Sequence, residues 1–256
     1  MSAMSPDQRV DAIPRAAGLL LNKTYEEADF LEPDVDAMAR KLRWYARRLF
    51  LRGIPFGVNG VIRRRFYIRR FKMWEYARGL AYSRIAPGMR VLDFGGGATL
   101  PVFYLAERGC EVMSVDINRQ FVDATNALAA RRGWKLSANL TNLCEAPAPP
   151  EWGTFDRVLS FCVIEHLPRA AQIPTMKKLA GLLRPGGIMV VTFDFGPDAP
   201  SEWPLRSRED VDELLRSTGL RPIGNASFLP VERYFPLDKR HPHAKFTMGS
   251  LFLTTP

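Results

Sequence analysis

The stretch VLDFGGGATLPVFYLAERG, residues 91–109, constrains the chain more than any other. Val91, Leu92 and Phe94 flank an aspartate and read as a short buried strand. Three consecutive glycines then remove side chains where the backbone must turn tightly. TLPVFYLAERG follows as a helix closed by Gly109. A strand that runs through glycines into a helix belongs to an open parallel sheet. Ligands bind there, beyond the carboxyl ends of the strands, and the helix start offers backbone N–H groups.

The same unit repeats downstream. CEVMSVDI is a strand, NRQFVDATNALAARRG a helix closed by Gly133, and KLSANL a third strand. FDRVLSFCV is the fourth, followed by the helical IPTMKKLAGLLRPGG and a fifth strand, IMVVTFDF. SREDVDELLRSTG has a serine cap and an acidic first turn, and LRPIGNASFL and FTMGSLFLTT read as two closing strands. The alternation predicts an α/β fold: a Rossmann-like, seven-stranded, mostly parallel sheet with helices on both faces, over residues 86–256.

Residues 1–85 differ in kind and form a helical N-terminal extension. The first 34 residues read as loose chain or a short docking helix. Residues 35–51 place Val35, Met38, Leu42, Tyr45 and Leu49 at helical spacing, Gly and Pro interrupt at 52–60, and a second helix is expected over 61–82. From Arg40 to Met73 there are twelve Lys or Arg and no acidic residue, so the net charge of +9 is concentrated here. Such a segment suits an anionic membrane surface, a phosphate backbone, or a solvated cap over an acceptor pocket. No apolar run is long enough to span a bilayer, and the first residues lack the pattern of a secretory signal. Cys110, Cys144 and Cys162 are widely spaced with no C-x-x-C pair, which fits a reducing cytoplasm and no zinc site.

Two ligand classes compete for the glycine turn. A dinucleotide fingerprint, G-x-G-x-x-G, fails because Leu100 stands where the third glycine is needed. Asp93, two residues before Gly95, is a poor neighbour for pyrophosphate and a good one for a cation.

The segment resembles motif I of the class I S-adenosylmethionine-dependent methyltransferases at Asp93, Gly95 and Gly97, with Thr99 in place of the last glycine. The resemblance extends over 86–195 and more loosely to the C-terminus. It implies S-adenosylmethionine as cofactor, held at Asp93, Gly95, Gly96 and Gly97. It further implies Asp116 at the ribose diol, Ile117 against adenine, Asn139 and Leu140 at the adenine edge, and Phe161 and Cys162 at the pocket floor. In FKMWEYARGL, Tyr76 is expected to wall the sulfonium, with Lys72 and Trp74 as weaker candidates.

His166 is the candidate catalytic base, against the plainer reading that Glu165 caps the next helix and His166 packs beside it. His241 and His243 read as an exposed loop or a lid. No Asn-Pro-Pro-Tyr or Asp-Pro-Pro-Tyr follows strand four, and no Pro-Cys nucleophile is present, so base methylation of nucleic acid lacks support in the core. The expected activity is methyl transfer to a small-molecule, lipid or glycan acceptor in the cytoplasm, with peripheral contact to an anionic membrane. The rivals are an RNA methyltransferase using the basic helices, an inactive cofactor-binding partner protein, and a nucleotide-dependent oxidoreductase.

Overall fold

Residues 19–230, 234, 243 and 245–256 are described by a computed structural model of the chain. The reading of residues 1–18 and that of His241 lie outside the described residues. Strand β1 (Lys23–Thr24) leads through a short 3-10 turn into helix α1 (Pro33–Leu51), which starts with Pro33 in its first turn. A hairpin follows, β2 (Phe56–Val58) and β3 (Val61–Arg63), and then helix α2 (Arg70–Tyr82).

The hairpin replaces the first part of the helix expected over 61–82. Its cause is the Asn59-Gly60 pair, both at positive φ (48° and 71°). Two such residues make the tight turn whose twist matches paired strands.

Strands and helices then alternate: β4 (Arg90–Phe94), α3 (Leu100–Glu107), β5 (Glu111–Asp116), α4 (Arg119–Arg132), β6 (Leu136–Leu140), β7 (Phe155–Phe161), α5 (Arg169–Gly181), β8 (Leu183–Phe195), α6 (Arg208–Ser217), β9 (Arg221–Pro222) and β10 (Thr247–Thr254). The main sheet runs β1-β10-β8-β7-β4-β5-β6, with β9 also on β10. Strands β4 to β8 pair in parallel, and β10 is antiparallel to β8. The Rossmann-like, mostly parallel sheet is therefore present. The sixth expected strand shrinks to two residues, because Pro222 has no N–H to give and Gly224 turns away at a φ of 81°. Strand β1 lengthens the sheet at that side.

Neighbouring residues of one strand face opposite layers. Val91, Val190 and Phe252 pack with α1, α2, α3 and α4. Leu92, Val191 and Leu251 pack with α5 and α6. The N-terminal helices thus share an apolar layer with the parallel sheet. Their seam carries buried polar bonds: Asn22 Oδ1 accepts from the Phe252 N–H at 2.8 Å, and its Nδ2 donates to the Ile223 and Asn225 carbonyls. Arg78, 1 % exposed, donates to Glu32 and the Leu20 carbonyl.

Candidate functional site

Strands β5 and β6 lie on one side of β4, and β7 and β8 on the other. The chain changes direction between β4 and β7, and a crevice must open at their carboxyl ends. A cavity of about 960 Å³ lies there.

The glycine turn is crowded by the protein itself. A Cβ on Gly95 would lie 2.6 Å from Val163, and one on Gly97 would lie 2.9 Å from the Asp116 carboxylate. A Cβ on Gly96 would fall onto the carboxylate of Asp93. Gly95 also has a φ of 75°, where a side chain is strained. Gly95 and Gly96 line the cavity, whereas Gly97 sits behind them.

The N–H groups of the turn are already used. Gly95 donates to the Val115 carbonyl at 2.7 Å, Gly97 to Asp116 Oδ2 at 3.1 Å and Ala98 to Thr125 Oγ1 at 2.7 Å. Thr99 donates to the Gly96 carbonyl, and the Gly96 N–H serves Asp93. This differs from the free N–H groups expected of the turn. It offers a surface to a ligand but no grip for a pyrophosphate, which needs several free donors.

Asp93 is 1 % exposed, lies under the turn and does not line the cavity. Ser114 Oγ donates to it at 2.8 Å. Burial, with the Asp116 charge as a smaller contributor, pushes its carboxyl up to about 7. Asp93 therefore props the turn from beneath.

Asp116 does line the cavity, at the end of β5. Each of its oxygens accepts one backbone N–H, from Gly97 and Asn118, and keeps lone pairs for a ligand. Ile117 and Phe121 extend this wall with apolar surface, Ile117 being 73 % exposed. Asn139 and Leu140 do not line it. The Thr141 N–H donates to the Asp116 carbonyl, which carries the chain beyond β6 over the crevice and brings in Thr141 and Asn142. Asn142 is held by its own turn, accepting the Cys144 N–H at 3.1 Å. That asparagine turn was the available signal for these two residues.

The other half of the cavity is built from α2 and the ends of β7 and β8. Tyr76, Phe161, Cys162 and His166 all line it. Gly79 lets α2 settle on the Phe161 ring, and Tyr76 meets that ring edge-on at 5.5 Å. Burial holds the Tyr76 phenol above its ordinary range, so it stays protonated. Trp74 faces away from the cavity, its indole N–H donating to Asp29 at 2.7 Å. His243 is exposed.

Glu75, Thr192 and Asp194, which sequence reasoning missed, gather beneath this half. Glu75, fully buried, accepts at Oε2 from Thr192 Oγ1 (2.8 Å), from Cys162 Sγ (2.8 Å) and from Lys72 Nζ (3.2 Å). Lys72 lines the cavity along with Asp194. Glu165 does not cap α5. Its Oε1 accepts the Asp194 N–H at 3.0 Å. Burial, then the Lys72 ammonium, pushes the His166 imidazole below its ordinary range. The side chains of Cys162, Glu165 and Asp194 bring ligand atoms within 4.8 Å of one another. The Lys72 ammonium already supplies positive charge to this group, and we assign it no metal.

The N-terminal segment closes the remaining wall with Gly57, Val58, Asn59, Gly60, Arg69 and Phe71. Gly57 donates to the Ala98 carbonyl at 2.8 Å, which straps the hairpin across the glycine turn. The site fits a sulfonium-bearing nucleoside. It has an acidic edge at Asp116, apolar flanks and a turn whose donors are spent.

The chain is similar to known methyltransferases. A methyltransferase-domain family model matches residues 91–187. The ubiquinone biosynthesis O-methyltransferase of Ruegeria pomeroyi is 26 % identical over 208 residues, covering 72 % of this chain and 82 % of that protein. The enzyme so named from Methylocella silvestris is 34 % identical over 115 residues, 43 % of each chain. Among solved structures, TehB from Haemophilus influenzae superposes with a TM-score of 0.56 at 17 % identity, covering 70 % of this chain and 61 % of TehB. The [4+2]-cyclase SpnF gives the same score at 15 % identity, covering 88 % and 97 %. These structural likenesses speak to fold alone, since a cyclase is among them.

Proposed function

We propose that this chain, with its class I S-adenosylmethionine-dependent methyltransferase fold, methylates a hydroxyl oxygen of a small, largely apolar biosynthetic acceptor. The donor supplies an electrophilic methyl group on a sulfonium. Gly95, Gly96, Asp116, Ile117 and Phe121 would hold it on the β4–β6 side. The acceptor would enter from the other side, against Phe71, Phe246 and Met248, with Lys72, His166 and Asp194 among the polar groups lining the cavity. One observation carries the reading: a single cavity joins the glycine turn to a second half with apolar walls and a polar floor. Phe71, Lys72 and Tyr76 of the N-terminal extension serve in this proposal as part of the acceptor wall. The relatives named as O-methyltransferases of ubiquinone biosynthesis support oxygen as the nucleophile.

A specific observation favours peripheral membrane contact as well. Trp44, Leu51, Phe66 and Tyr67 are 59 %, 81 %, 59 % and 67 % exposed on the arginine-rich segment that also contributes Arg69, Phe71 and Lys72 to the cavity lining. Exposed aromatic residues among arginines suit a surface of anionic lipid.

Calorimetry with S-adenosylmethionine and S-adenosylhomocysteine tests donor binding. Radiolabelled donor added to cell extract tests the acceptor, with the label expected in the organic-soluble fraction. Label in RNA would support the RNA methyltransferase instead. Donor binding without any labelled product would support the inactive partner protein.

A further inference from the structure

The acceptor half of the cavity contains a carboxylate pair that no step above employs. Asp194 stands at the end of β8 and lines the cavity, and its backbone N–H is held by Glu165 Oε1 at 3.0 Å. Glu165 is fully buried, and its Oε2 has no hydrogen-bond partner among the described residues. Such an oxygen is costly to leave ionised, so a proton shared within the pair is favoured.

Among the described residues, the charged and titratable groups around Asp194 are the following. Lys72, Glu75 and Tyr76 face it from α2, Cys162 from the end of β7, and Glu165 and His166 from the 3-10 turn Ile164–His166. On β10 its register partner is the apolar Met248. Lys72 is committed to Glu75, with Nζ 3.0 Å from Oε1. Cys162 Sγ donates to Glu75 at 2.8 Å and is only weakly directed at Asp194, at 3.9 Å. Asp194 is therefore the carboxylate of this group that lines the cavity with its oxygens least committed.

We propose that Asp194, tuned by Glu165, is the general base that takes the proton from a hydroxyl-bearing acceptor. This rests on the methyl-transfer reading above. The acceptor O–H bond breaks and its proton passes to an Asp194 oxygen. The electron pair stays on the acceptor oxygen and forms the new O–CH₃ bond, while the pair of the broken C–S bond remains on sulfur. The proton then leaves to solvent. Burial raises the Asp194 carboxyl first, the Glu75 charge adds to it, and Lys72 opposes both. Burial and the Asp194 charge raise Glu165 in the same way. A base works best when it titrates near the working pH, and burial tunes carboxylates in that direction. His166 is displaced the other way, to a weaker base.

Three preparations of the full chain test this: wild type, Asp194→Asn and Glu165→Gln. In the infrared difference between ligand-free wild type and Asp194→Asn, where the Asp93 carboxyl cancels, a carboxyl band with a midpoint above about pH 6 should remain, far from the ordinary aspartate range. That band should be missing in Asp194→Asn and should shift to lower pH in Glu165→Gln, which removes a like charge. Turnover of catechol as a probe acceptor should rise with pH along the same midpoint. Asp194→Asn should lose roughly 10²–10⁴-fold in kcat, with donor affinity and melting temperature unchanged. Absence of any band titrating above about pH 6 from that difference overturns the proposal. So does Asp194→Asn turning over catechol at the wild-type rate, or a pH limb lost in His166→Asn and kept in Asp194→Asn. Wild type giving no heat with the donor would instead sink the methyl-transfer reading.

Discussion

Asp93 occupies the place where sequence put a cation ligand, and its surroundings make it a prop. Its carboxyl sits near 7 because it is buried, against an ordinary value of 3.8. The folded state therefore binds its proton more tightly than the unfolded chain does. That contribution to stability is full below the ordinary value and fades as pH rises toward 7. Asp93→Asn removes it, so urea midpoints should move in the variant's favour between pH 5 and pH 8 by about 2 kcal/mol relative to wild type. An unchanged difference across that range would refute the assignment. Gly96→Ala places a Cβ on the same carboxylate. It should destabilise by about 1–3 kcal/mol and weaken donor binding, with chemical unfolding and calorimetry as the measurements. The positions of Asp93 and the glycines were legible in the sequence, but the direction of the aspartate was not. A one-dimensional pattern cannot say which side of the backbone a carboxylate takes. The Glu75–Thr192 bond was equally invisible, since 117 residues separate its ends.

The parallel strands and their helices announced themselves through apolar runs, glycine stops and a serine cap. The hairpin β2–β3 did not, because its strands are three residues each and arginines surround them. Asn59-Gly60 was the overlooked signal. The hairpin matters beyond its size, because Gly57 packs 3.2 Å from Phe121 at its Cβ position and 3.5 Å from the Gly97 carbonyl. Gly57→Val should lift it from the glycine turn. The expected result is a donor Kd raised roughly tenfold, about 1.4 kcal/mol, with the melting temperature little changed. Equal donor affinity in calorimetry would show that the strap is idle. Helix α2 was placed correctly from about Arg70 onward. Trp74 was expected at the sulfonium, yet helical geometry turns it toward Asp29, two positions away from the cavity-lining Lys72 and Tyr76.

At the scale of the whole molecule, the N-terminal helices and the parallel sheet share one apolar layer, joined by Asn22 and Arg78. Heating should give one cooperative transition by both far-ultraviolet dichroism and tryptophan fluorescence; two resolved steps would mean separable units. Twelve Lys or Arg and no acidic residue lie between Arg40 and Met73, and Arg69 and Lys72 among them line the cavity. Vesicles rich in phosphatidylserine should co-sediment the protein at low salt and release it near 1 M, where screening falls to about 3 Å. Binding equal on neutral vesicles would rule out an electrostatic footing. The strapped hairpin carries a last consequence for anyone re-engineering this enzyme. Exchanging residues 19–82 with those of a sister protein, in the hope of importing a new substrate preference, would also swap the strap that Gly57 lays across the glycine turn. Selectivity and donor affinity would have to be re-evolved together.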